Sequence, residues 1–118
     1  MKNQNIINRF IFAIQGLRNA WYSERSFRSQ VIIMFIVLAS LIYLKASSIW
    51  WAIIILVIGA TLAAELINTA LEYMIDFLHP DYHSEIGRAK DCAAAAVLVL
   101  SCSSVLIFFA FLFEKFSS

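Results

Sequence analysis

The chain alternates long apolar runs with short polar interruptions, and the spacing of those interruptions divides it into four stretches. In residues 4–22, Ile6, Ile7, Phe10, Ile14, Leu17 and Trp21 recur at helical spacing. Asn8, Arg9, Gln15, Arg18 and Asn19 fall on the other faces, which predicts an amphipathic helix. An apolar face flanked by arginines and a terminal tryptophan suits a helix lying in a membrane interface; a helix packed sideways on a bundle gives the same pattern. Three later runs carry no charge, residues 29–44, 46–64 and 92–113, with lengths of 16, 19 and 22 positions. A membrane-spanning helix takes roughly 17 to 25. Arg28 and Lys45 extend the first run, since their stems stay in hydrocarbon while their charged ends reach the interfaces.

The second run does not end where its charges begin. Nothing breaks the helix before "HPDYHSEIG", and Pro80 is the only proline. From Ile49 to Leu78 such a helix is about 45 Å long against a hydrocarbon core of roughly 30 Å, so its last turns emerge into the interface. The spans are therefore expected over about 28–46, 49–78 and 88–114. "LKASSIWW" reads as a short hairpin with Trp50 and Trp51 as interfacial anchors. Gly87 is expected to close the last loop, and Ala93 to Ala96 to permit close helix contact near the start of the third span.

Composition agrees with this pattern. At 118 residues and 62% hydrophobic the chain is expected to form one all-α integral-membrane domain over 1–118. Lys2, Arg9, Arg18, Arg25, Arg28, Arg88 and Lys90 lie before the first span or between the second and third, leaving Lys45 and Lys115 for the other side. The N-terminus and the 77–91 loop are thus assigned to the cytoplasm. The net charge of +1 offers no basic stripe for nucleic acid, and none is expected as a partner. "MKNQNIINRF" lacks the apolar core and cleavage site of a signal peptide, so the chain is expected to be retained whole. Cys92 and Cys102 are about 15 Å apart along one helix, too far for a mutual disulfide, and read as apolar fillers.

Candidate chemistry lies in "ELINTALEYMID", residues 65–76. At 100° per residue Glu65, Asn68, Thr69, Glu72 and Asp76 fall within an arc of about 100° and share one helix face. A helix leaving the membrane grows polar in any case, and Asp76 fits that reading. Glu65 does not, because it lies deepest, where an ionised carboxylate costs on the order of 3 kcal/mol. Its presence implies a charged partner, a metal ion or a bound proton. Glu24, Arg25 and Arg28 at the first span boundary, with Arg88, Lys90 and Asp91 before the third, bring further charge to the same membrane level. Two carboxylates such as Glu24 and Glu72, with water and phosphate oxygens, satisfy Mg²⁺; a lysine would neutralise phosphate, and a third carboxylate could accept a hydroxyl proton. Ion-pair networks in transporters and channels use the same residue types. A cation-conducting oligomer would spread its polar groups through the membrane depth, whereas here they gather at one level and "AIIILVIGATLAA" offers no continuation outward. No GxxxxGK[ST] loop is present, so a kinase reading needs a fold other than that of the soluble enzymes.

"AELINTALEYMID" followed by "YHSEIGRAKDCAAAAVL", with "GLRNAWYSERSFR" upstream, resembles the prokaryotic diacylglycerol kinase family, small integral-membrane lipid kinases that include the undecaprenol kinases. The resemblance runs from about Phe10 to Leu112. It implies a homotrimer in the bacterial cytoplasmic membrane, each chain carrying three spans and a surface helix, with composite active sites at the cytoplasmic interface. It also implies phosphorylation of a membrane lipid alcohol, with ATP as co-substrate and Mg²⁺ as cofactor. On the matching positions Glu65 would be the general base toward the lipid hydroxyl, and Glu24 and Glu72 the metal ligands. Asn68 would orient them, Lys90 would contact phosphate, and Asp76 and Asp91 would support the site. Arg9, Gly16 and Trp21 would form the surface-helix wall of the lipid entry.

Several positions keep two readings. Asp91 either supports the site or caps the third helix. Tyr82 and His83 either pack on an adenine ring or sit in a solvated loop. Trp21 is a substrate contact or an interface anchor, and Arg88 a phosphate neighbour or a generic cytoplasmic-side charge. For the lipid, "YHSEIGRAKD" resembles the diacylglycerol kinases of Gram-negative bacteria, whereas "ERSFR" resembles the turn of the undecaprenol kinases. Ala13 and Ser29 also depart from the diacylglycerol kinase type. Diacylglycerol is the expected substrate and undecaprenol the alternative.

Overall fold

A computed structural model describes residues 5–117; Lys2 and the expected helix start at residue 4 lie outside them. The described residues form four α-helices and no strand: α1 (Ile6–Ser23), α2 (Arg25–Tyr43), α3 (Ser48–Leu78) and α4 (Ser84–Ser117). The last three are long and apolar enough to cross a membrane. At 1.5 Å per residue, the 31 residues of α3 give about 46 Å and the 34 of α4 about 51 Å. Both exceed the hydrocarbon core, so each must project beyond it.

α1 starts where the Asn5 side chain accepts the Asn8 N–H at 2.8 Å, an N-cap that satisfies one of the helix's free donors. Its far end meets α2 with no linker beyond Glu24, so this helix starts at Arg25, ahead of the span expected from about residue 28. Glu24 is extended (φ −118°, ψ 111°), closes α1 through its N–H on the Ala20 carbonyl, and precedes the first residue of α2. Arg28 Nη1 donates to the Trp21 and Tyr22 carbonyls at 2.8 and 3.3 Å, so a cation fills the electronegative end of α1. Ala20 and Phe27, one on each side of the corner, are buried. The corner is thus held by backbone, charge and packing together.

The α2–α3 hairpin turns through Lys45, whose φ of 55° lies in the left-handed region. The N–H groups of Lys45 and Ala46 return to the Ile42 and Leu41 carbonyls and end the helix. A side chain in that conformation costs roughly 1–2 kcal/mol, part of which glycine avoids. Lys45→Gly is expected to stabilise the fold by about 0.5–1 kcal/mol, read as a higher midpoint of thermal unfolding in detergent micelles; a lower midpoint contradicts the assignment of strain.

Beside this hairpin Leu41, Ile54 and Phe111 are buried at the meeting of α2, α3 and α4, with Val37, Leu38, Trp51 and Phe108 packed around them. Trp50 stacks edge-on against Phe111 (5.6 Å, 63°) and donates its indole N–H to Glu114 at 2.7 Å. Trp50 therefore ties α3 to α4 as well as marking an interface. Most other large apolar residues are exposed in the single chain, among them Leu56, Leu98, Leu106 and Phe113, as surfaces facing lipid or neighbouring helices must be.

The α3–α4 connection departs from expectation. α4 begins at Ser84, not near residue 88, and Gly87 lies inside it. The cause is local: His83 Nδ1 accepts the Glu85 N–H at 3.1 Å, the His83 carbonyl accepts the Gly87 N–H at 2.9 Å, and Glu85 pairs with Arg88 across one turn at 3.1 Å. Gly87 is a helical residue and does not close the loop. A Cβ there would stand 3.4 Å from the Tyr82 ring, ordinary contact that the bare backbone leaves open. Since α4 starts seven residues before Asp91, Asp91 is not the cap of that helix.

Candidate active site

The polar face of α3 is turned inward. Thr61, Glu65 and Thr69, one helical turn apart, are buried at 3%, 3% and 6% exposure, while Ile67, Met74 and Phe77 on other faces are exposed. Four-residue spacing puts successive side chains on one stripe, so the sequence pattern is realised as a seam inside the bundle.

At the centre of the seam Glu65 Oε2 accepts a hydrogen bond from Ser26 Oγ at 3.0 Å. The partner is a neutral hydroxyl, not one of the expected cations. Arg28 is occupied at the end of α1, Arg88 by Glu85, and Lys90 by Asp76. Toward the C-terminal end of α3, Asn68, about one turn past Glu65, donates its Nδ2 hydrogen to Oε1 of Glu72, about two turns past it, at 3.0 Å. Asn68 Oδ1 is buried and has no hydrogen-bond partner among the described residues. Such an acceptor is costly unless a ligand donor or cation meets it. Farther out still, Lys90 Nζ and Asp76 Oδ1 join α4 to α3 at 2.5 Å, both partly exposed.

Glu24 reaches this group from the α1–α2 corner. Its carboxyl is pushed above the usual range, first by partial burial and then by the negative charges of Glu72 and Glu65. Three carboxylates from the corner and from α3 therefore act on one region. Tyr73 donates its hydroxyl to Ser23 Oγ and ties the end of α1 to α3 beside them. Among the described residues there is no cluster of three or more His, Cys, Asp or Glu placed as a protein-only metal cage. A pair of carboxylates with one orphaned amide oxygen fits instead a cation that keeps water and phosphate oxygens in its shell.

The remaining candidates separate into two groups. Gly16 lines a groove of about 540 Å³ between α1 and α3, with Ala13, Leu17, Leu66, Ala70 and Tyr73. Nothing lies within 4 Å of where a Gly16 Cβ would stand, so the groove is open at that point. Trp21 belongs to the corner through its carbonyl, and Arg9 lies two turns before Gly16 with an exposed side chain. Tyr82 and His83 are exposed next to the start of α4, where His83 also serves as a cap; Arg88 and Asp91 are exposed on α4. The structure does not bring Arg9, Arg88 or Asp91 into hydrogen-bond contact with the carboxylate group.

Two features of the site are absent from the sequence reading. Ser26 was passed over as part of a turn; the signal was its place two residues beyond Glu24, on the first turn of a helix that must pack against α3. The seam also continues outward past Glu65, where Thr61 meets Ser104 at 3.1 Å and Gln30 donates to Ser101 at 3.1 Å. The expectation of no polar continuation is corrected to this extent. The cause lies in α4, whose "SCSS" supplies hydroxyls that an inspection of α2 and α3 alone overlooks. Beyond Thr61 the seam ends at the apolar Leu41, Ile54 and Phe111 cluster.

Known proteins resemble the chain along nearly its whole length. The sequence model of one family, prokaryotic diacylglycerol kinase, matches residues 11–112. A diacylglycerol kinase of Escherichia coli K12 is 29% identical over 111 residues, covering 94% of this chain and 91% of the relative. One from Helicobacter pylori J99 is 33% identical over 115 residues, covering 96% and 84%. An undecaprenol kinase of Bacillus subtilis 168 is 34% identical over 109 residues, covering 89% of each. With a buried carboxylate on the middle of three membrane-length helices and a family match over residues 11–112, the chain belongs to the prokaryotic diacylglycerol kinase family and is a kinase.

Proposed function

We propose that this kinase transfers the γ-phosphate of MgATP to the hydroxyl of diacylglycerol, giving phosphatidic acid, at the cytoplasmic face of the bacterial inner membrane. The observation that carries the reading is the order along α3: a buried Glu65 oriented by Ser26, then Asn68 about one turn and Glu72 about two turns nearer the water. A lipid alcohol approaches from the bilayer and a nucleotide from the cytoplasm, and this order gives each its own group.

In the reaction Glu65 takes the proton of the lipid hydroxyl as its oxygen forms a bond to the γ-phosphorus. The bond from that phosphorus to the ADP oxygen breaks, and the electron pair leaves on ADP. Glu24 and Glu72 would hold a divalent cation, which supplies neutralisation of phosphate charge. Its positive charge would relieve the repulsion that Glu72 and Glu65 impose on Glu24. Asn68 orients Glu72 and offers Oδ1 to the same region. Lys90, poised on Asp76, can exchange that carboxylate for a phosphate oxygen, and Asp91 follows it on α4 with an exposed side chain. Tyr82 and His83, exposed beside the loop, suit contact with the base of the nucleotide.

The groove at Gly16 suits an acyl chain entering beside the surface helix; Arg9 and Trp21 lie on the same helix, outside the residues that line the groove. A homotrimer would cover part of the apolar surface that α4 leaves exposed and complete the site between subunits. A cation-conducting role is disfavoured by the buried Leu41, Ile54 and Phe111 cluster, which closes the polar seam toward the outer side.

Undecaprenol is the second reading, since the undecaprenol kinase of Bacillus subtilis is as similar to this chain, at 34% identity, as the diacylglycerol kinases are. Purified protein in micelles with MgATP and each lipid supplied separately distinguishes them. Diacylglycerol is expected to give the higher kcat/KM by at least about tenfold, the range in which one well-matched contact discriminates. A preference for undecaprenol reverses the assignment, and phosphate release with neither lipid overturns both.

A further inference from the structure

Glu65 has a requirement that burial alone does not meet. A glutamate carboxylate turns about a broad, two-fold terminal torsion, so a buried base with no fixed partner presents its oxygens in many directions. Here one oxygen is fixed. Oε2 accepts the Ser26 hydroxyl at 3.0 Å, and among the described residues Oε1 accepts no hydrogen bond. We propose that Ser26 is a positioning residue for Glu65, holding one carboxylate oxygen so that the other faces the incoming lipid hydroxyl. This rests on the reading of Glu65 as the general base.

Three features of the geometry support the assignment. The donor comes from a different element, the first turn of α2, so the bond spans 39 residues of chain and fixes α2 against α3 at the reacting level. Ser26 lies two residues after Glu24, so the segment that carries one carboxylate of the site also orients another. Finally, the donor is neutral. An arginine or lysine on Glu65 would orient it equally well but would stabilise its negative charge and oppose the transfer of a proton to it. Arg28, Arg88 and Lys90 are engaged elsewhere, and the hydrogen bond that Glu65 accepts comes from a hydroxyl.

Misplacement of a reacting group by about 1 Å costs on the order of a hundredfold in rate. Ser26→Ala is therefore expected to lower kcat by about ten- to a hundredfold, with the KM values for ATP and lipid and the Mg²⁺ titration changed by less than about twofold. Ser26→Thr keeps the hydroxyl and is expected to recover most of the loss. An unchanged kcat in Ser26→Ala, a threonine variant as impaired as the alanine one, or a loss expressed in KM would each overturn the proposal. The double substitution separates it from the reading beneath it. If Glu65→Gln has already removed the base, adding Ser26→Ala should cost nothing further. A Glu65→Gln enzyme of normal rate defeats the base assignment. A crippled Glu65→Gln enzyme beside a fully active Ser26→Ala enzyme defeats the positioning role alone.

Discussion

Glu65→Gln is expected to lower kcat by about three orders of magnitude while the affinity for ATP stays within about twofold. The substitution preserves shape, and the amide oxygen can still accept the Ser26 hydroxyl that now meets Oε2. The other terminal atom becomes an NH₂ group, which donates and cannot take a proton. Only the transition state loses an interaction, so the loss belongs in kcat. Nucleotide binding is expected to persist because the Asn68–Glu72 pair and the Asp76–Lys90 pair lie nearer the water and do not touch Glu65. Lipid phosphorylation in micelles together with calorimetric titration of a non-hydrolysable ATP analogue checks both halves. A near-normal rate would remove Glu65 as the base, and abolished binding would place it in the nucleotide site.

The second large effect is expected on metal dependence. Glu72→Gln removes a charge from a region where three carboxylates act together, and it leaves the Asn68 amide facing a neutral acceptor. The Mg²⁺ concentration for half-maximal activity should rise at least about tenfold, the worth of one charge-assisted contact, and Glu24→Gln should behave similarly. The pH dependence carries a sign. Partial burial and then Glu72 and Glu65 hold the Glu24 carboxyl above its ordinary range, and that carboxyl must lose its proton before it can bind a cation. Mg²⁺ affinity is therefore expected to be full above this raised pKa and to fall as the pH drops through it. In Glu72→Gln one of the raising causes is gone, and the acid fall-off moves to lower pH. Mg²⁺ titrations at several pH values read both effects; an unchanged midpoint and an unmoved acid limb in Glu72→Gln would exclude Glu72 from the metal shell.

How much of this was legible in the sequence depends on the range of the interaction that decides each feature. The helix of residues 4–22 and the long α3 follow from periodicity, charge gaps and a single proline, all of which act along one helix. The inward face of α3 was legible for the same reason, since an arc drawn on a helix wheel needs no knowledge of its neighbours. The start of α4 was missed because a histidine ring capping a helix carries no strong sequence signal, while glycine and proline dominate any reading of a loop. Ser26 was missed because its importance comes from an atom 39 positions away. The cations named as possible partners of Glu65 share its membrane level in the sequence pattern, whereas Arg28 turns back to cap α1 and Arg88 pairs within its own helix. Sequence spacing identifies which charges share a membrane level, and packing decides which of them meet.

The corner at Glu24 has a consequence for how such a protein can change length. One extended residue separates two helices there, and it carries a carboxylate of the site. An added residue on its α2 side would turn the corner by about 100° relative to α2 and shift it by about 1.5 Å, carrying that carboxylate away from its companions on α3. The hairpin at residues 44–47, remote from the carboxylates and already turning through a left-handed residue, could absorb the same addition. The molecule therefore has a rigid joint and a tolerant one, and drift in chain length is expected to be tolerated only at the end away from the candidate site.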